Sequence, residues 1–505
     1  MSKRSTTLAR IEERLEREGL LVEGPRLHGA DCLAEVWDVT ADSRQVQIGS
    51  LFCAWAGTSS DSHDFLADVT RAGAVGATVE RGGDYALPTF LVTSGRRAAA
   101  YAAAQFYGDP WQEMVLVGVT GTNGKTTTAA MLQHLLGGDG PAGYVGTLGA
   151  LGPTGQVIPG TEGLTTPGPV EAARWLADFA DHGVSRVAME VSSHALHQDR
   201  MAAARFDAAV FTNLTRDHLD YHGTLEEYRA AKLRLLELLK PGAAAVVNAD
   251  DPAWADVLPP EGRRLVRFGI ENAVEVRAEE LRAGPGGMEF TLVTPDGSAH
   301  VDLPIFGTFN VANALGAAAV LWSLGWAPDR IAQRLGTLPQ VRGRLERAAG
   351  PPESATVLLD YAHTPDALER ALQAVRPLVK GRLIVVFGAG GDRDQGKRPE
   401  MGRVAAENAD LAIVTSDNPR TEDPEAILDG IEGGMGSAPR LRISDRREAI
   451  RTALQQAAPD DLVLLAGKGH EDYQIVGTDK RPFDERVVVR ELLAELKSAT
   501  GGGAG

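Results

Sequence analysis

Only two cysteines, Cys32 and Cys53, occur in 505 residues, and neither stands in a Cys-x-x-Cys or Cys/His ligand spacing. That scarcity argues against a disulfide framework and a structural zinc site, and leaves buried free thiols as the expected state. An apolar leader is missing as well. Lys3 and Arg4 run into the charged segment 9–19, where a signal peptide needs an apolar stretch, so a cytoplasmic protein is expected. The nearest approach to a membrane span, residues 303–326, is broken by Pro304, Asn310, Asn313 and Ser323, and it reads better as a strand, a turn and a buried helix. Positive charge is in short supply too. A net charge of -17 disfavours nucleic-acid binding, which needs a clustered basic surface.

With 43% hydrophobic and 24% charged residues, the composition is that of a globular protein, and its only low-complexity tract is residues 501–505. The length exceeds what a single core supports, so about three domains are expected. Residues 1–110 open with a helix that places Leu8, Ile11 and Leu15 on one face, followed by short apolar runs at 50–54 and 74–79, as in a small mixed α/β unit. From Met114, strand-like runs at 114–119, 186–190, 208–211 and 243–247 alternate with helix-like segments such as 225–239, as in a doubly wound parallel sheet over 111–342. A third alternation, with strands at 356–360, 383–388, 411–415 and 462–466, closes near 494 and leaves 495–505 as a flexible tail. The fold class is α/β throughout.

The segment Gly118-Val-Thr-Gly-Thr-Asn-Gly-Lys-Thr-Thr127 lies between a strand and a helix. In that context backbone N–H groups and a helix N-terminus cradle polyphosphate. Gly121, Thr122, Asn123, Gly124 and Thr127 would line the loop, Lys125 would reach the β- and γ-phosphates, and the Thr126 hydroxyl would face Mg²⁺. The strict Walker spacing requires glycine at 119, where valine stands, so the loop is a variant. It argues for nucleotide binding and names no reaction.

Two further strands end in dense chemistry. Met189-Glu-Val-Ser-Ser-His-Ala-Leu-His-Gln-Asp-Arg200 offers Glu190 as a hard oxygen ligand for Mg²⁺ and Arg200 as a fork for a carboxylate or phosphate. Asn213-Leu-Thr-Arg-Asp-His-Leu-Asp-Tyr-His222 is followed by Glu226-Glu-Tyr-Arg-Ala-Ala-Lys232 on a helix. Residue chemistry alone leaves His218 open between a ligand and a structural imidazole, and reads Lys232 as a solvated surface lysine.

The variant loop and these runs together resemble the Mur ligase family, whose members couple ATP hydrolysis to amide formation on UDP-linked muramyl precursors. The resemblance covers nearly the whole chain. It implies an N-terminal UDP-precursor domain, a central P-loop-type ATPase domain and a C-terminal Rossmann-like domain that receives an amino acid. It also implies that Lys232, in the Tyr228-x-x-x-Lys232 run, is carbamylated by CO2 and helps hold a second Mg²⁺. Glu190 and His218 would then be metal ligands, and Lys125, Lys232, Glu190 and His218 would be the catalytic set.

By the same matching, Thr165 and Thr166 of the Leu164-Thr-Thr-Pro167 run, Ser192, Gln198 and Arg200 would touch the muramyl-dipeptide acceptor. Ser43 of Asp42-Ser-Arg44 would touch uridine. Where relatives often show Asp-Gly-His, this chain reads Asp61-Ser62-His63. Asn310 and Asn313, three residues apart on one helix, suit an adenine edge; Asp360 would sit near the ribose and Arg344 near phosphate.

Three runs in the last third bear on the incoming amino acid: Gly388 to Met401, Asp417-Asn-Pro-Arg420, and Ala466-Gly-Lys-Gly-His-Glu-Asp472. Arg393 and Arg420 could clamp a carboxylate and Glu471 could pair with an ammonium. The resemblance adds Asp417, Asn418, Pro419 and Gly467. Asp-Asn-Pro-Arg is the form seen in ligases that add meso-diaminopimelate, whose distal end carries both amine and carboxylate; lysine and ornithine lack that carboxylate and remain alternatives. The expected partners are the UDP-MurNAc-dipeptide, ATP and a diamino acid, with the protein acting as a monomer. The rivals are a folylpolyglutamate-synthetase-like ligase and a non-catalytic nucleotide-binding protein.

Overall fold

A computed structural model describes residues 4–25, 34–57, 60–284, 286–350 and 354–501. Cys32 lies outside them; Cys53 is a buried free thiol, pushed up to about 12 by burial. The chain divides into two compact units. One runs to Arg277 and takes in Val293–Gly297 and Asn313–Ile331; the other comprises Ala278–Leu292, Ser298–Ala312 and the chain from Ala332 onward.

The first unit begins with the predicted amphipathic helix, Leu8–Arg17, whose Leu8, Ile11 and Leu15 are fully buried. Its small sheet has the strand order Leu21–Glu23, Thr89–Val92, Gly76–Val79, Ser50–Cys53, Asp38–Thr40, and all neighbours but the first pair are parallel. Seven strands of the larger, ten-stranded sheet run in the order Gly149–Leu151, Ala142–Gly146, Arg186–Glu190, Val115–Thr120, Phe206–Phe211, Leu239–Asn248, Arg264–Gly269. Only Gly149–Leu151 runs antiparallel within that set. Its strands read as near-continuous apolar runs because helices cover both faces of a parallel sheet.

The second unit carries a sheet ordered Glu346–Ala349, Thr356–Asp360, Leu462–Ala466, Leu383–Phe387, Leu411–Val414, Arg440–Arg442, parallel except at its first pair. Alternate residues feed opposite faces, as strand geometry requires. Leu358, Val385 and Leu464 join Leu368, Met401 and Ile427 in one core; Val357, Ile384 and Val463 join Ile450, Val489 and Leu492 in another.

Two expectations need correction. The helix expected over 225–239 ends at Leu233, and Arg234–Leu238 tightens into a 3-10 turn that delivers the chain to Leu239–Asn248. A tighter last turn satisfies carbonyls that an abrupt end would orphan. The closing helix, Glu485–Gly501, continues past 494 because Leu496 packs on the core and Glu495 meets Arg447 and Arg451. Residues 303–326 resolve as foreseen, into the end of strand Gly297–Leu303 and helix Thr308–Ser323, and no helix among the described residues is long and apolar enough to cross a membrane.

Candidate active site

The phosphate loop, Glu190, Ser192, Asp360, Asp417 to Arg420 and Gly467 lie at the carboxyl ends of parallel strands, where α/β sheets leave a crevice, whereas Lys232, Asn310 and Asn313 lie on helices. In the first unit the loop after Val115–Thr120 turns into helix Lys125–Leu136 through Gly121 and Gly124, with φ of +148° and +84°. Side chains do not fit there: a Cβ on Gly121 would strike Thr212 Oγ1, and one on Gly124 would strike Asn313 Oδ1. Asn313 is thus packed against the phosphate loop. Asn310, on the same helix, is fully buried and donates to Phe306 O at 2.7 Å.

The loop is held by the strand beside it. Thr122 N donates to Asn213 O at 2.8 Å, Asn123 N to Asn213 Oδ1 at 2.9 Å, and Thr212 Oγ1 to Asn123 O at 2.6 Å. Lys125 Nζ donates to the carbonyls of Gly121 and Thr122 at 2.9 and 2.8 Å. Thr126 and Thr127, both buried, begin the helix.

Helix Leu225–Leu233 docks onto this loop. Thr224 caps it by accepting from Glu227 N at 3.1 Å, and spacing of four residues puts Tyr228 and Lys232 on one face. Tyr228 OH donates to Thr122 Oγ1 at 3.3 Å and Lys232 Nζ to Gly121 O at 2.8 Å. Lys232 is 1% exposed, against the solvated side chain that residue chemistry alone predicts. Burial first, and the nearby Lys125 charge next, hold its amine well below the usual lysine range.

Glu190, fully buried, ends its strand beside the loop. Its carboxylate accepts from Thr126 Oγ1 at 3.1 Å, from Thr147 N at 2.9 Å and from Tyr144 OH. Its backbone carbonyl accepts from Thr166 Oγ1 at 2.9 Å, which in turn accepts from Ser192 N at 2.9 Å. Thr165 Oγ1 lies 3.3 Å from Thr147 Oγ1. Arg200 is clamped by Gln198 Oε1, 2.7 Å from Nη2, and reaches Thr166 O at 3.2 Å. Thr126, Glu190, Thr165, Thr166, Ser192, Gln198 and Arg200 therefore form one hydrogen-bonded patch.

The two charged runs converge beside it. The His218 and His194 rings lie 4.8 Å apart, His222 Nε2 is 3.0 Å from Ser193 Oγ, and Gln198 Nε2 donates to Tyr221 OH at 3.0 Å. His218 has a positive φ of 52°. Burial lowers its pKa, with the Lys125 charge acting in the same direction and Asp217 opposing, which favours the neutral imidazole that a metal ligand requires. Ser43 opens a 3-10 turn, Ser43–Gln45, capped by Asp42; beside it Thr40, Arg44, Gln45, Glu171 and Arg174 line a cavity of about 290 Å³. In the departing loop, His63 is buried between Asp61 Oδ1 and Glu80 N, and Ser62 Oγ donates to Trp55 O at 2.7 Å, so these side chains brace the loop.

In the second unit, Asp360 is buried with one oxygen accepting from Ala362 N at 2.9 Å and the other from Leu345 N at 2.8 Å. Burial raises its pKa against the pull of Arg344, whose guanidinium carbon is 5.1 Å from the Tyr361 ring centre. Arg393 and Arg420 flank Gly390: a Cβ there would lie 3.7 Å from Arg393 Cγ and 3.0 Å from Arg420 Nη1. Arg420, at a φ of +51°, donates to Gly391 O at 2.7 Å, while Arg393 is exposed. Pro419 O closes on Gly391, where a side chain would not fit.

Asp417 and Asn418 are buried, and Asn418 Nδ2 donates to Glu471 Oε2 at 2.9 Å. The sequence reading missed Lys468, whose fully buried ammonium meets Asn418 Oδ1 at 3.0 Å, Glu471 Oε2 at 3.2 Å and Asp417 Oδ1 at 3.4 Å. Its signal was a charged residue between Gly467 and Gly469 directly after an apolar strand. Tyr144 and Thr147 were missed as well, since nothing local marks them as partners of Glu190.

Two family models match: Mur ligase middle domain over residues 119–321, and Mur ligase, glutamate ligase domain over 343–469. A UDP-N-acetylmuramoyl-L-alanyl-D-glutamate–2,6-diaminopimelate ligase of Gloeobacter violaceus is 44% identical, covering 97% of this chain and 99% of its own. The protein of the same name from Geobacillus kaustophilus is 45% identical, covering 90% and 94%. A solved structure with that name is 32% identical with a TM-score of 0.70, covering 94% of this chain and 97% of its own. The MurF ligase of Thermotoga maritima in complex with ADP, 21% identical with a TM-score of 0.64 over 92% of this chain and 98% of its own, shares the fold. With near-complete coverage at these identities, the chain belongs to the Mur ligase family.

Proposed function

We propose that this protein is the ATP-dependent ligase that joins meso-diaminopimelate to the D-glutamate of UDP-MurNAc-L-Ala-D-Glu in peptidoglycan precursor synthesis, acting as a cytoplasmic monomer. One observation carries the reading: Glu190 ties the phosphate loop through its carboxylate and the Thr-Thr-Pro run through its carbonyl, so the γ-phosphate and acceptor subsites share a wall. The names borne by relatives at 44% and 45% identity support the choice of substrates.

ATP is taken by the amides of Gly121 to Thr127, with Asn313, packed against Gly124, on the adenine side. Thr165, Thr166, Ser192, Gln198 and Arg200 hold the dipeptide, with Arg200 pre-oriented by Gln198, and Ser43 contacts the uridine. The acceptor carboxylate attacks the γ-phosphate in line; Lys125 and the loop amides stabilise the charge that develops. An acyl phosphate forms, ADP leaves, and the amine of the incoming amino acid displaces phosphate from the activated carbonyl.

Thr126 and Glu190 offer hard oxygen donors side by side, and these fit Mg²⁺. Lys232 as an ammonium does not fit a cation site. As a neutral amine, the form its burial favours, it can add to CO2 and lose a proton, giving a carbamate that with His218 fits a second Mg²⁺. When bound, the two ions supply charge neutralisation at the phosphates.

Phosphate release with ATP, Mg²⁺ and each acceptor tests the reaction. Turnover with the muramyl dipeptide and none with a folate is expected; the reverse, or ATP hydrolysis indifferent to acceptor and amino acid, would contradict it.

A further inference from the structure

Lys468 stands in the turn after Leu462–Ala466 with none of its side chain exposed. Both flanking glycines shape that turn. Gly467 has a φ of +114° and a Cβ there would strike Asp417 Oδ2; Gly469 has a φ of +52° and a Cβ there would lie 2.6 Å from Tyr361 Cβ. The turn therefore sends the lysine inward, where its ammonium meets Asn418, Glu471 and Asp417 at 3.0, 3.2 and 3.4 Å. An ammonium has three protons to donate, and here each has an oxygen.

Burying that charge is costly unless the pairing is good, so an apolar residue would be the simpler way to fill the space. What distinguishes Lys468 from a mere staple is the identity of its partners: all three belong to the subsite assigned to the amino acid. Without Lys468, Asp417 and Glu471 would present two carboxylates, a pair that favours a substrate end bearing only positive charge. With it, one of the two is cancelled while Asn418 and Glu471 are fixed by a shared donor. The hairpin Tyr473–Val476 and Asp479–Pro482 completes the brace, since Ile475 N donates to the same Asn418 Oδ1 at 2.9 Å.

We propose that Lys468 is a positioning and specificity-determining residue whose buried ammonium orients Asn418 and Glu471 and neutralises one carboxylate, so that the subsite selects a zwitterionic distal end over a singly cationic one. The inference rests on the ligase reading above. Wild-type protein is therefore assayed first: diaminopimelate-dependent phosphate release secures that reading, and silence with every amino acid overturns both. Lys468→Met and Lys468→Gln are then compared by circular dichroism and steady-state kinetics, the Gln variant keeping a hydrogen bond without charge and carrying the comparison if the Met variant does not fold. In Lys468→Met the KM for diaminopimelate should rise about tenfold or more, and the preference for diaminopimelate over lysine should narrow by about as much, while KM for ATP and for the UDP-precursor stays within about twofold. Lys468→Gln should keep part of the affinity and lose the preference. An unchanged diaminopimelate KM and preference in a folded variant, or an equal rise in all three KM values, would overturn the proposal.

Discussion

Lys232 and Lys468 are both buried lysines, but Lys468 faces two carboxylates while Lys232 meets a carbonyl and the face of Tyr228. For Lys232 that setting favours the neutral amine that carbamylation requires. Lys232→Met is expected to lower kcat by roughly 10²–10³, the scale of losing one preorganised charge at a developing anion. Wild-type protein freed of CO2 should lose activity and regain it with bicarbonate; an indifferent wild type would remove the carbamate from the account. His470 offers a second test. Burial, with the Arg344 and Arg342 charges behind it, holds its imidazole down at about 3, whereas the unfolded chain takes that proton near 6.5. Between those values the unfolded state binds the extra proton, so stability is fully present above pH 6.5 and falls as pH drops, by at most about 1.4 kcal/mol per unit. Urea unfolding at pH 7 and pH 5 should differ less in His470→Gln than in wild type, and an equal difference would assign the acid sensitivity elsewhere.

Strands and loops were read from the sequence more securely than partners were. Arg186–Glu190, Thr356–Asp360 and Leu462–Ala466 match their expected bounds because short apolar runs between polar turns admit few alternatives. The helix ending at Leu233 was overextended because its apolar spacing continues through the 3-10 turn. Among candidate site residues, Thr126 and Glu190 were each legible from their motifs as oxygen donors for Mg²⁺; their direct contact, Lys468, Tyr144 and, from residue chemistry, the burial of Lys232 were not, since these depend on what packs from distant parts of the chain. The phosphate loop makes an element-scale prediction. Gly124→Ala would force a side chain into a φ of +84° and into Asn313, so KM for ATP should rise about tenfold or more while the KM values of the other substrates change little; an unchanged ATP KM would mean the loop relaxes freely. In the second unit, Arg446 and Glu485 form a fully buried pair at 2.8 Å that ties helix Arg446–Gln456 to the closing helix. Glu485→Ala leaves the guanidinium unpaired and should destabilise that unit by roughly 3–5 kcal/mol in urea unfolding; a loss under about 1 kcal/mol would show that water reaches the site.

At the scale of the whole molecule, the phosphate loop and the residues expected to meet the acceptor lie in the first unit, those expected to meet the amino acid lie in the second, and the family match spans both. A net charge of -17 places the burden of binding anionic substrates on a few local groups, for which Lys125, Arg200, Arg393 and Arg420 are proposed. Which amino acid is added is the sharpest statement in the account, because it depends on the surroundings of Arg420 and Glu471. The decisive measurement is kcat/KM for meso-diaminopimelate, L-lysine and L-ornithine at saturating ATP, Mg²⁺ and UDP-MurNAc-L-Ala-D-Glu, in wild type and in Arg420→Lys. The account predicts a preference of about 100-fold or more for diaminopimelate that shrinks in the variant, as expected of a site whose half-buried Arg420 donor is left unmatched by the wrong substrate. Equal or better turnover with lysine or ornithine in the wild type would contradict it.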